Sequence, residues 1–438
     1  MAETRRRGRP TSDQQWRVVP GPGGPVRRMG RQRDLRTTVA VDVGRFASGL
    51  SRRLGLGSGG MIGGRLALAL QPRALSHLVQ GRDVVMVTGT NGKTTTTQMV
   101  AEALRSRGAT VHNATGANML DGHVAALMAD PNAPFAALEV DELHLMQATR
   151  QFEPSVMVLL NLSRDQLDRV GEIRTVERSI RDALRRAPGA HVVANRDDPN
   201  IVSAAADHPH VTWVSGGARW QNDAMNCPRC GRSIAAADRD WHCECGLARP
   251  KADWTITEEG LVGPDAMVYP LALHLPGHVN RINACFALAT ATVLGCAPSA
   301  ALERIESIEQ TQGRYGTVIL GGHRVRLLLA KNPASWLEML DLVSGHDRAL
   351  VLSVNSREAD GADVSWLWDI DFESLQGRRV RVAGDRALDL AVRLRYAGVR
   401  CEVVPSVDEA VATETGEPPD VIANYTAFRD LYARSVRA

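Results

Sequence analysis

From residue 83 the chain alternates short β-branched and aliphatic runs with segments of helical period. The runs VVMVTG, AALEV, VMVLLN, HVVAN and VTWVS fall between Val84 and Ser215. Each is strand-length, and the stretches between them space apolar residues three and four apart, so the pattern predicts an α/β fold with a largely parallel sheet. The rhythm breaks at residues 222–248, continues as strand-like pieces to about Leu275, and gives way to helical patterns from Asn280 to Gln310. A second set of runs, VILGG, VRLLLA, RALVLSV, RRVRVAG and CEVVP, begins near Gly316 and predicts a smaller Rossmann-like domain with a helix over Ala387–Tyr396. Upstream, Val39, Val43, Phe46 and Leu50 recur at helical spacing, and glycines punctuate residues 55–64. This predicts an amphipathic helix whose apolar stripe packs on the core; Arg45, Arg52 and Arg53 on its flanks make a membrane-surface role the alternative.

The expected organisation is a disordered Arg-rich tail over residues 1–38, a central α/β domain over 39–315 with an insertion at 222–248, and a C-terminal Rossmann-like domain over 316–438. The tail is read from ten arginines between Arg5 and Arg36, set against Glu3, Asp13 and Asp34. The whole 438-residue chain nets only +3, which argues against a nucleic-acid binder. No apolar run reaches the length of a membrane span and no signal-peptide core is seen, so the expected location is cytoplasmic, peripheral at most to the inner face of the membrane. Forty-nine arginines accompany only three lysines, Lys93, Lys251 and Lys331. Where lysine persists in such a background, a compact point charge on a flexible stem is called for.

Two of those lysines lie in motifs. In VTGTNGKTTTT an apolar strand runs into Gly89, Thr90, Asn91, Gly92, Lys93, Thr94 and Thr95, a glycine-rich turn that opens a helix. Backbone N–H groups there can cradle the phosphates of ATP, Lys93 can reach the terminal phosphates, and the Thr94 hydroxyl can ligate Mg²⁺. Glu139 ends the strand of LEVDE. Cys227, Cys230, Cys243 and Cys245 form two close pairs on a hairpin-length spacer, the pattern of a zinc ribbon. Four thiolates would close the shell of a structural Zn²⁺; His242 is an alternative ligand and a redox pair an alternative use. Residues 355–373 gather Glu358, Asp360, Asp363, Asp369, Asp371 and Glu373 around Trp366 and Trp368, on a loop after a buried strand.

Taken in order, GTNGKTTTT, LEVDE, NLSRDQLDR, VVANRDDPN, GHVNRINACFALA, GRYG and LLLAKNPASW resemble the signature stretches of the Mur ligase superfamily. With the four-cysteine insertion, RDQLDRVGEI and ADGADVSWLWD, the chain resembles more narrowly the MurT family, the Mur-ligase-like subunit of lipid II isoglutaminyl synthase. The resemblance implies that Glu139 binds magnesium, that Asn280 and Asn283 face the adenine, and that Arg314 and Lys331 reach phosphate. It implies a heterodimer with a GatD-like glutamine amidotransferase subunit, and lipid II at the membrane surface as substrate. It implies further that the D-glutamate α-carboxyl is amidated there through an acyl phosphate, and that Asp363 reaches into the partner's active site beside its Cys and His. The chain departs from ordinary Mur ligases at Gln166, where they carry histidine, and at Leu328, where they carry an acid. It also has no lysine between Lys93 and Lys251 to be carbamylated. An amino-acid ligase of folylpolyglutamate type and a nucleotide-gated scaffold are the rival readings.

Overall fold

The computed structural model describes residues 35–53, 60–113, 116–163, 173–217, 225–237, 240–309, 315–345, 348–413 and 417–435. The tail, the RDQLDR stretch with Gln166, and Arg314 lie outside them.

Helices α1 (Leu35–Arg53) and α2 (Gly60–Leu70) pack on each other through small residues. A Cβ on Gly63 would stand 2.5 Å from the Gly44 carbonyl oxygen, so the backbones approach as only glycine allows. The expected helix is present, but its large apolar stripe does not pack on the core. Thr37, Ala40, Val41 and Gly44 turn inward, while Val39, Val43, Phe46 and Leu50 are exposed. Periodicity identifies an apolar face without saying what covers it, and here the close seam selects the small-residue face for the interior.

The central sheet contains β1 (Asp83–Thr88), β2 (Thr110–His112), β3 (Phe135–Glu139), β4 (Val156–Leu159), β5 (His191–Asn195) and β6 (Val211–Ser215). Beyond a hairpin of β7 (Ala235–Ala237) and β8 (Asp240–His242), it is extended by β9 (Trp254–Ile256), β10 (Leu261–Val262) and β11 (Val268–Tyr269). The order is β11-β10-β9-β6-β5-β4-β1-β3-β2, parallel from β2 to β9 and antiparallel at β10 and β11. Along β1, Val84 and Met86 enter one core and Val85 and Val87 the other, which is why the strand reads as an unbroken apolar run. The first core is covered by α3 (Ala74–Leu78), α5 (Leu120–Ala129), α6 (Leu145–Thr149), α7 (Ile173–Arg186) and α8 (Pro199–Ala205). The second lies under α4 (Lys93–Arg105), α9 (His278–Val293) and α10 (Pro298–Glu306). No helix among the described residues is long and apolar enough to cross a membrane.

A second sheet holds β12 (Tyr315–Leu320), β13 (His323–Leu329), β14 (Leu350–Ser353), β15 (Val380–Ala383), β16 (Cys401–Val403) and β17 (Asp420–Ala423), in the order β12-β13-β17-β14-β15-β16. Only β12 runs antiparallel to its neighbour. One face carries α11 (Pro333–Ser344), α12 (Ala387–Tyr396) and short 3-10 turns around Trp336, Phe372 and Leu390. The other carries α13 (Val407–Ala412) and α14 (Tyr425–Ser435). After β14 the chain moves toward β15, and after β17 it turns back over β12 and β13 as α14. The crevice between the ends of β14 and β17 is therefore a topological switch point, where open α/β sheets place ligands.

Candidate active site

The loop between β1 and α4 is fixed by its own amides. Thr90 N–H donates to the Asn161 carbonyl and Asn91 N–H to the Asn161 side-chain oxygen, each at 2.9 Å, while Asn161 Nδ2 donates back to the Asn91 carbonyl at 3.0 Å. Gly92 caps α4 at φ +85°, a conformation that side chains resist, and a Cβ there would meet Asn283 Oδ1 at 2.8 Å. The turn thus opens a 13-residue helix at its positive end, beside Lys93.

Lys93 and Glu139 are both buried. The Lys93 ammonium does not stand exposed on the loop, as a surface phosphate ligand would. It donates to the Gly89 carbonyl at 2.6 Å and to both oxygens of Glu142 at 3.1 and 3.2 Å. Glu142 lies three residues past Glu139, in the same LEVDE segment. The Thr94 hydroxyl donates to Glu139 Oε2 at 2.8 Å. A hydroxyl and a carboxylate so placed are the hard oxygen donors that Mg²⁺ takes, next to an ammonium that can hold phosphate.

Two residues that the sequence did not single out hold Glu139. Asn113 accepts from the Glu139 N–H at 2.8 Å and donates to its carbonyl at 2.9 Å, clasping the strand end from both sides. His123 Nε2 donates to the same carbonyl at 2.8 Å, and burial pushes the His123 pKa down to about 4, so the ring is neutral. Asp198 of VVANRDDPN caps α8 and accepts from Leu162 N–H at 2.6 Å, tying that turn to the end of β4.

Asn283 projects from α9 into this loop, where its Oδ1 accepts from the Thr96 hydroxyl at 3.1 Å. Its amide is thus already engaged with α4, and Asn280, half-buried one turn earlier, donates to the Pro276 carbonyl at 2.6 Å. From the second domain, Asn332 caps α11 through Ser335 and reaches Asn91 of the phosphate loop. Asn91 Nδ2 donates to Asn332 Oδ1 at 3.2 Å and Asn332 Nδ2 to Asn91 Oδ1 at 3.1 Å. Lys331 is thereby brought to the same side of the junction, its N–H donating to Ser335 Oγ at 2.9 Å.

The four cysteines converge. Their sulfurs all lie within 4.8 Å of one another, with Cys227 to Cys245 at 3.6 Å and Cys230 to Cys243 at 3.4 Å. Thiolates about 2.3 Å from one tetrahedral zinc would be roughly 3.8 Å apart, so the set fits such an ion. Backbone bonds from Cys227 N–H to Arg232 and from Cys243 N–H to Leu247, each 2.7 Å, close the two knuckles. A backbone donor at Leu247 draws the Cys245 thiol down, while burial and the neighbouring thiols push Cys227 and Cys243 up, so the thiols share their protons as one cluster. His242 is exposed and outside the cluster. Trp241 and Leu247 pack with Val202 and Trp213, which anchors the insertion to the central domain.

The acidic tryptophan loop leaves β14 at the switch point. Asn355 N–H donates to Asn424 Oδ1 at 2.9 Å and Asn424 Nδ2 to the Asn355 carbonyl at 2.7 Å, stitching the ends of β14 and β17. Asp360 accepts from Thr426 N–H at 2.9 Å, at the start of α14, and Arg357 pairs with Asp385 at 2.9 Å and with Asp430. Trp366 is buried against Trp336. On this braced frame Asp363 is exposed. It accepts from Ser365 N–H at 2.7 Å and from the Ser365 hydroxyl at 3.0 Å, which holds its carboxyl below the ordinary range. The loop is thus not a floppy acidic run: Asp360, Asp363 and Asp371 accept backbone hydrogen bonds and Glu373 pairs with Arg393, while Asp363 is among the acids that stay exposed.

The Mur ligase middle domain family matches residues 87–291, and the MurT ligase C-terminal family matches residues 329–428. Over 441 residues, 91% of this chain and 98% of the relative, the sequence is 29% identical to the MurT subunit of lipid II isoglutaminyl synthase (glutamine-hydrolyzing) from Streptococcus pneumoniae. It is 29% identical over 434 residues to the subunit of the same name from Staphylococcus aureus, covering 91% of this chain and 97% of that one. Among solved structures, a pseudomurein peptide ligase type C from Methanothermus fervidus superposes with a TM-score of 0.63 at 18% identity, over 81% of this chain and 79% of that chain.

Proposed function

We propose that this chain, which belongs to the MurT family of the Mur ligases, is the ligase subunit of a lipid II isoglutaminyl synthase and amidates the D-glutamate α-carboxyl of the lipid II stem peptide. The observation that carries this reading is likeness along nearly the whole of both chains to relatives of that name, spanning the phosphate loop and the switch-point loop alike.

A carboxylate resists attack by ammonia until an oxygen becomes a leaving group. The carboxylate oxygen attacks the γ-phosphorus of ATP, ADP departs, and an acyl phosphate results. Ammonia then attacks the acyl carbon, the C–O bond to phosphate breaks, and loss of a proton leaves the amide. Lys93 and the N-terminus of α4 stabilise the charge on the transferred phosphoryl group, and Lys331 and Arg314 supply further cations. Mg²⁺ held by Thr94 and Glu139 would neutralise phosphate charge. Gly89, Thr90, Asn91, Gly92 and Thr95 shape the cradle, and Asn280 and Asn283 line its α9 side. Cys227, Cys230, Cys243 and Cys245 would hold a structural zinc, and with four thiolates it would serve the fold of the insertion rather than the substrate.

Ammonia must arrive unprotonated, which a GatD-like glutamine amidotransferase partner achieves by releasing it locally. Asp363, braced and exposed, orients the partner's catalytic histidine. The test is to incubate lipid II with ATP, glutamine, this chain and its partner and to weigh the product. A shift from carboxyl to amide on the D-glutamate supports the reading; ATP hydrolysis with unchanged lipid II overturns it.

A further inference from the structure

The first two helices are built inside out. On α1, Leu35, Val39, Val43, Phe46 and Leu50 occupy one outward face, and Phe46 is 73% exposed. On α2, Met61, Ile62, Leu66 and Leu70 are exposed as well. The two helices are fastened by the glycine seam and by the contact of Gly64 with Asp121 of α5, so these side chains are displayed by a fixed support. A contiguous apolar display of this kind marks an interaction surface.

Charge identifies what it meets. Residues 1–73 hold fifteen arginines and no lysine, against Glu3, Asp13, Asp34 and Asp42, while the whole chain nets +3. Everything from residue 74 onward is therefore net negative, and the cationic excess is confined to this hairpin and the 34 residues leading into it. Large apolar side chains beside arginines suit an anionic bilayer, where the rings and aliphatic groups enter the headgroup boundary and the guanidinium groups meet phosphate.

Position supplies the third strand. Helix α2 packs on α5, with Arg65 paired to Asp121 at 2.9 Å. The segment leading into α5 borders the catalytic oxygens: a Cβ on Gly116 would lie 3.9 Å from both Glu139 Oε2 and Thr94 Oγ1. We propose that the outward apolar face of α1 and α2 docks on an anionic lipid bilayer, setting the Glu139 and Thr94 end of the site at the surface from which a lipid-linked carboxylate is presented. The lipid-linked substrate rests on the proposed function; the docking face does not.

The full chain is sedimented with phosphatidylglycerol-containing vesicles and with vesicles of phosphatidylcholine alone, beside a variant carrying Phe46→Ser and Leu50→Ser. Both substitutions are at exposed sites, and an unchanged melting curve verifies the fold. Binding is expected on the anionic vesicles and more than about tenfold weaker in the variant. Absence of binding, or equal binding of both proteins, overturns the proposal, the latter assigning attraction to arginines alone. A self-associating chain whose association is lost in the variant overturns it in favour of a second copy. Turnover separates the two readings. The variant should lag on vesicle-embedded lipid II and match the unsubstituted chain on a water-soluble, short-chain analogue. If the unsubstituted chain amidates neither, the substrate reading fails while the vesicle result stands.

Discussion

Replacing Lys93 tests the phosphate loop and its electrostatics together. In the structure the Lys93 side chain is 7% exposed and its partner Glu142 13% exposed, so Lys93→Ala strips a nearly buried carboxylate of its counter-ion and the Gly89 carbonyl of a donor. Leaving one member of such a pair alone costs roughly 3 kcal/mol. For a domain of this size that lowers the melting temperature by roughly 6–12 °C. Adding Glu142→Gln removes the orphaned charge and should restore most of that loss, a non-additivity that a double-mutant cycle reads directly. Turnover responds differently. ADP release should fall by at least about a hundredfold in Lys93→Ala and stay low in the double variant, because no other group supplies that charge to the phosphoryl transfer. Lys93→Arg should fail as well, since a planar guanidinium does not fit the short contact to Gly89. Calorimetry and a coupled ADP assay are sufficient. Lys93→Ala melting with the unsubstituted protein would refute the buried pair, and undiminished turnover would refute the phosphate role.

One tightly bound zinc per chain is expected by elemental analysis, and Cys227→Ser should lose the metal and lower the melting temperature; a metal-free chain of unchanged stability rejects the site. Asp363→Asn should assemble with the amidotransferase and bind ATP, yet lose glutamine-driven amidation by about 10³-fold or more while ammonium salts restore it. Equal loss with ammonia would move the residue to the ligase site. His123 sits near 4 against an ordinary 6.5, so the unfolded chain takes up its proton first as pH falls. Stability is full above 6.5 and declines between 6.5 and about 4, by up to about 3 kcal/mol. Denaturant midpoints at pH 7 and 4.5 should converge in His123→Gln, and an unchanged slope there would assign the acid sensitivity elsewhere.

The strands were legible because burial on both faces writes itself as uninterrupted apolar runs, as in β1 and β5. The glycine-rich turn was legible because Gly89 and Gly92 punctuate the passage from an apolar strand into a helix, and the structure turns there. Cys227 through Cys245 announced their convergence through spacing. What was illegible depends on tertiary closure. Glu142 looks like any acid until the fold swings Lys93 onto it, although a second acid three residues past Glu139 was the available signal. Asn113 and His123 clasp Glu139 from positions 26 and 16 residues away, and no local period records that. The outward stripe of α1 carries the same helical signature as a core stripe; only the glycines that press α1 on α2 decide which side is in.

The paired amides of Asn91 and Asn332 have a kinetic meaning. They join the phosphate loop to the C-terminal domain by two neutral hydrogen bonds, together worth on the order of 1–3 kcal/mol. Such a latch releases without a change of pH or salt, because neither partner carries charge. Under the proposed mechanism these two bonds would keep water from the acyl phosphate while the junction is closed, and their parting would accompany nucleotide exchange.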